Sequence, residues 1–114
     1  MKVITPAAHG ILDYVTVLVF LLAPAAIGLG GFAGALSYAL AAIHLAMTLV
    51  TDFPLAAVRR IPFAIHGWVE RIVGPVLIVL ALAAGFDSAA RAFYAVMGLV
   101  ILLAGALTDY TRCA

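Results

Sequence analysis

The sequence predicts an all-α integral membrane four-helix bundle, built from two tandem helical-hairpin repeats that insert in parallel. Three observations carry this. The 114 residues are 68% hydrophobic and only 10% charged, whereas a soluble domain is about half apolar and about a quarter charged. Residues Tyr14 to Thr51 contain no Asp, Glu, Lys or Arg. The chain also matches itself when displaced by half its length, and its scarce polar residues fall on one another. A chain this short has too much surface to bury so much apolar material. A soluble globular enzyme and a disordered chain are both excluded by composition.

The elements follow in order within one membrane domain, residues 1–114. As a single helix the uncharged run would extend ~57 Å, about twice the hydrocarbon thickness of a bilayer. It therefore folds back, and the glycines of Gly28–Gly34 place the turn. Spans are expected at about 7–28 and 34–51. The second half repeats the plan with spans at about 64–84 and 89–108, turning at Gly85-Phe86-Asp87-Ser88. Pro6 and Pro62 sit near helix starts, where a missing N–H costs least. Pro24 and Pro75 fall inside spans, which membrane helices tolerate.

Four spans put both termini and the Asp52–Phe63 connection on one side. That side holds Lys2, Arg59, Arg60, Arg71 and Arg112, against Arg91 alone on the other. The positive-inside rule then places both termini in the cytoplasm. A net charge of +1 offers no basic surface for nucleic acid. The single cysteine, Cys113, excludes an internal disulfide framework.

The repeat pairs residues 9–53 with 66–110 without a gap. His9-Gly10 falls on His66-Gly67, Asp13 on Glu70, Gly28 on Gly85, and Thr51-Asp52-Phe53 on Thr108-Asp109-Tyr110. Ten of the 45 pairs are identical, and the polar matches weigh most because polar residues are rare here. Each repeat has an even number of spans, so both copies share an orientation and are related by a pseudo-twofold along the membrane normal. His9 and His66 are then at one depth, as are Asp13 and Glu70.

The stretch His9-Gly10-Ile11-Leu12-Asp13-Tyr14, with Ile43-His44-Leu45, Thr51-Asp52-Phe53 and Ile65-His66-Gly67-Trp68-Val69-Glu70, resembles the SPW-repeat type of small bacterial membrane protein. The likeness covers nearly the whole chain. It implies tandem two-helix units in a prokaryotic cytoplasmic (inner) membrane, and no particular activity. In place of Ser-Pro-Trp the two copies read Ala23-Pro24-Ala25 and Leu80-Ala81-Leu82.

Ionisable side chains inside a span cost roughly 2.5–3.5 kcal/mol each on insertion scales, so they face protein or water. His9, Asp13 and Thr16 share one helical face, and His66 with Glu70 repeats the spacing of four. Ser37, His44, Thr48 and Thr51 lie in one arc of the second span. Two function classes follow. In the first, His9, Asp13, His66 and Glu70, completed by His44, hold a transition metal in a pocket between the repeats. Alternatively His44 with His9 or His66 ligates a haem axially. Either would serve membrane redox chemistry or metal handling. In the second class the protein is a non-catalytic scaffold or accessory subunit. There Asp13 and Glu70 pair with Arg59, Arg60 or Arg71, and Asp52 and Asp109 accept from N–H groups at the starts of the first and third helices as a polar clasp. Whether the protein is an enzyme stays open. Ala35, Ala39, Ala42 and Ala46 form a small-residue stripe opposite His44, which suits a homodimer or docking in a larger membrane complex. The remaining partner is the lipid bilayer.

Overall fold

The computed structural model describes residues 2–111, so Arg112 and Cys113 lie outside the described residues. Four helices follow in order: α1 (Pro6–Ile27), α2 (Gly31–Val50), α3 (Phe63–Ala83) and α4 (Ser88–Leu107). Each is long and apolar enough to cross a membrane. Helix starts are capped where the sequence supplies an oxygen. The Thr5 hydroxyl accepts from the Ala8 N–H at 3.2 Å, and Asp87 Oδ1 accepts from the Ala90 N–H at 2.9 Å, satisfying donors that a helix N-terminus leaves free. Gly28 ends α1 in the left-handed region at φ 70°, a conformation that favours glycine. The turn closes within Gly28–Gly30, so α2 begins at Gly31, three residues before the expected start.

The helices pack most closely as two hairpins, α1 with α2 and α3 with α4, and α1 also meets α4. In the second hairpin the backbones nearly touch. A Cβ on Gly74 would stand 2.8 Å from the Gly98 carbonyl oxygen, and one on Gly98 only 2.6 Å from that of Gly74. The core spans both hairpins, with Phe20, Leu77, Ala81 and Tyr94 at its centre. Apolar side chains also cover the outside, among them Leu22, Ile43, Val79 and Leu82. Such an outer surface suits lipid rather than water.

One end of the bundle is fastened by short parallel bridges, Ile4 with Thr108 and Thr51 with Ile61. Ile4 N–H donates to the Leu107 carbonyl and Asp109 N–H to that of Ile4. In the matching place Ile61 N–H donates to Val50 and Asp52 N–H to Ile61. The carbonyls at the ends of α2 and α4, which lack helical partners, are thus met by the segments preceding α3 and α1. The starts of α1 and α3 and the ends of α2 and α4 therefore gather at one end.

Pro24 has no N–H to give the Phe20 carbonyl one turn earlier. The Ser37 hydroxyl of α2 donates to that carbonyl at 2.6 Å. A neighbouring helix so repairs the break that a proline makes in an apolar medium.

Candidate metal centre

Just inside the fastened end, His9 and Asp13 of α1 face His66 and Glu70 of α3. Two residues separated by four lie on one helical face, so each helix delivers one imidazole and one carboxylate to the same place. All four are buried, His9 and His66 with 0% exposure. One ligand atom from each lies within 4.8 Å of all the others. The nitrogen–oxygen spacings form a ring. His9 Nε2 is 3.3 Å from Asp13 Oδ1 and 3.2 Å from Glu70 Oε2. His66 Nε2 is 3.1 Å from both Asp13 Oδ2 and Glu70 Oε1. His44 of α2 stands beside the ring, its Nε2 3.3 Å from Asp13 Oδ1.

The histidine tautomers follow from two threonines. The Thr108 hydroxyl is 2.6 Å from the Ala104 carbonyl, which can only accept, so the hydroxyl proton lies there. Its oxygen is 2.7 Å from His9 Nδ1 and must accept a proton from that nitrogen. Thr51 repeats the arrangement, donating to the Met47 carbonyl at 2.6 Å and accepting from His66 Nδ1 at 2.8 Å. Both imidazoles thus carry a proton on Nδ1, and both turn Nε2 toward the carboxylates. Histidines that ligate metals are fixed in this way, with the outer nitrogen donating to a neighbour. His9 Nε2 and Asp13 Oδ2 are buried without a hydrogen-bond partner.

The spacings fit a cation. The nitrogen–oxygen separations of the ring are 3.1–3.3 Å, and the one between His66 Nε2 and Glu70 Oε1 is also within hydrogen-bond reach. A metal about 2.1 Å from its ligands sets neighbouring donors about 3.0 Å apart in an octahedron and about 3.4 Å apart in a tetrahedron. The separations of 3.1–3.3 Å are of that order, each carboxylate turning one oxygen to His9 and the other to His66, and one ligand atom from each residue lies within 4.8 Å of the rest. The set contains nitrogen and oxygen and no sulfur, which suits zinc, iron or manganese. Asp13 stands between His44 and both candidate partners for a haem, its Oδ1 3.3 Å from His44 Nε2 and from His9 Nε2 and its Oδ2 3.1 Å from His66 Nε2, where a porphyrin would need a gap as wide as its plate.

An aromatic layer closes the centre toward the fastened end. Phe63 and Tyr110 meet the His9 ring edge-on at 5.3 and 5.7 Å between centroids, and Phe53 stacks on Phe63 at 5.7 Å. Above them a cavity of about 430 Å³ lies among the loops, lined by Asp52, Phe53, Arg59, Phe63 and Tyr110. The Tyr110 hydroxyl reaches back to Glu70 Oε2 at 3.4 Å. Burial, reinforced by the Glu70 charge, raises the phenol above its usual range and keeps it protonated.

The glycine after each histidine makes room for this layer. A Cβ on Gly10 would stand 2.2 Å from Phe53 Cε2, and one on Gly67 2.3 Å from Tyr110 Cζ. The sequence pairs Gly10 with Gly67 and Phe53 with Tyr110, but not each glycine with the ring that fills the space over it.

The arginines expected against the carboxylates are elsewhere. Arg71 donates from Nε to the Gly105 carbonyl at 3.0 Å, and its guanidinium lies 5.1 Å from the Trp68 and Tyr110 ring centroids. Arg59 faces Asp52 at 3.9 Å on the exposed surface. Asp52 meets the segment before α3 through its backbone N–H. Asp109 Oδ1 accepts from the Thr111 N–H and hydroxyl. Thr51 and Thr108, each the neighbour of one of these aspartates, join the hairpins across this end through His66 and His9. Comparison with protein-family models, curated proteins and solved structures finds no match.

Proposed function

We propose that the protein is a four-span membrane protein holding one divalent transition-metal ion between its two hairpins, with His9, Asp13, His66 and Glu70 as ligands. The observation that carries this reading is the convergence of two Nδ1-protonated imidazoles and two carboxylates on one buried centre. Charge supports it. Two carboxylates balance a divalent ion, leaving no net charge in a setting where charge is costly. The carboxylates between the imidazoles favour a bare ion over haem. The resemblance to SPW-repeat proteins and the half-length periodicity belong to the same proposal, as two copies of a hairpin each bringing half of the ligand set. The end carrying Lys2, Arg59, Arg60 and Arg71 then faces the cytoplasm, and the cavity above the aromatic layer gives the ion its approach for metal handling. The exposed alanine stripe of α2 suits a second copy in the bilayer.

The test is elemental analysis of the protein purified in detergent, before and after zinc or manganese is supplied to chelator-stripped samples. One ion per chain is expected, lost in His66→Ala and in Asp13→Asn. A wild type that retains no zinc, manganese or iron under any loading condition would leave the same side chains as a fastening alone, the scaffold alternative.

A further inference from the structure

The four ligands recur in both halves of the chain, but two of their neighbours do not. His44 matches Ile101, and Tyr110 matches Phe53. Each of these unmatched residues meets one carboxylate. His44 Nε2 is 3.3 Å from Asp13 Oδ1, and the Tyr110 hydroxyl is 3.4 Å from Glu70 Oε2. The two oxygens so engaged are those turned toward His9. The other two, Asp13 Oδ2 and Glu70 Oε1, face His66 at 3.1 Å, and Asp13 Oδ2 has no hydrogen bond at all. Each carboxylate thus has one oxygen shared between His9 and an unmatched neighbour, and one that meets His66 alone.

The consequence is a choice of coordination number. A carboxylate with one oxygen engaged binds a metal through the remaining one. Two such carboxylates and two imidazoles make a four-coordinate site, the geometry zinc adopts. Carboxylates with both oxygens free chelate and raise the count toward six, which suits manganese and other hard ions. Resting on the metal-binding reading above, we propose that His44 and Tyr110 are positioning residues that select zinc over manganese by holding one oxygen of each carboxylate and leaving the ion the oxygen that faces His66. They act through Asp13 and Glu70 and need not touch the ion.

The experiment compares the wild type with His44→Ile, Tyr110→Phe and the double variant, each taking the residue found at the matching position of the other hairpin. Chelator-stripped full-length protein in detergent is equilibrated with equal concentrations of zinc and manganese, and the bound ratio is read by elemental analysis. X-ray absorption at the zinc edge gives the coordination number. The wild type is expected to hold four-coordinate zinc. In the double variant the zinc-to-manganese ratio should fall by about tenfold or more, as for other loss of outer-sphere support, with added oxygen ligands. His44→Gln, which keeps a donor toward Asp13, should recover the ratio in part. A purely structural role would lower both metals together and leave the ratio alone. Should the variants keep the wild-type ratio and four-coordination, or the wild type hold zinc at higher coordination, the selectivity role is overturned and the metal site stands. Should the wild type bind neither metal, the metal-binding reading itself fails.

Discussion

The Thr108 hydroxyl lies 2.7 Å from His9 Nδ1, joining the end of α4 to the start of α1. Its proton is committed to the Ala104 carbonyl, so the imidazole must be the donor. Thr51 does the same for His66. Removing the hydroxyl while keeping the shape frees Nδ1 and the tautomer with it. Thr108→Val and Thr51→Val should each weaken metal binding by about 10–100-fold, measured by competition with a chromophoric chelator. Thr108→Ser should retain most of the affinity. Equal binding in the valine variants would show that the threonines do not set the tautomer.

Ser37 and Pro24 form a compensating pair. Ser37→Ala leaves the Phe20 carbonyl without a donor in an apolar interior, at a cost of about 1–3 kcal/mol. Thermal unfolding in detergent should register this loss. Adding Pro24→Ala restores a backbone N–H at position 24 and should return part of the stability. Simple additivity of the two changes would mean that the Ser37 hydroxyl does not replace the missing N–H.

Gly67 and Tyr110 compete for one volume. Gly67→Ala must displace the tyrosine ring and should cost about 1–3 kcal/mol through overpacking. In a Tyr110→Ala background the same change should cost much less, and the double-mutant cycle reports the difference. Gly10→Ala against Phe53 is expected to behave alike.

The crossing of α3 and α4 depends on Gly74 and Gly98, whose backbones lie too close for a side chain between them. Gly98→Ala should destabilise the hairpin by about 1–3 kcal/mol, and Gly98→Val should do so more strongly. Gly85→Ala is a useful contrast, because space around that position is open and its cost arises from backbone conformation alone, φ being 71°.

Much of the architecture was legible from residue spacing. Apolar runs and glycine turns placed four helices to within three residues, since membrane thickness leaves few choices of span length. The spacing of four placed His9 with Asp13 and His66 with Glu70. Their meeting across the bundle depended on how two helices approach, and the matching positions in the halves gave the only clue. The fastening was harder to read. Aspartates at helix boundaries look like caps, so spacing points to Asp52 and Asp109, whereas nothing in it points to the bonds that the neighbouring Thr51 and Thr108 make to His66 and His9. A hydroxyl near a helix end can bond its own backbone, which hides the second bond that its oxygen accepts. The pairing of Ser37 with Phe20 was hidden for a similar reason, because only the facing helix shows which carbonyl a proline has left bare.

Each hairpin contributes one imidazole and one carboxylate, and neither closes the cage alone. Half of the chain therefore carries half of the proposed ligand set. An ion held there would be a rivet through two plates, and its affinity would measure how firmly the plates are pressed together. Lipid composition or a neighbouring protein that pries the hairpins apart would then loosen the ion without touching a ligand.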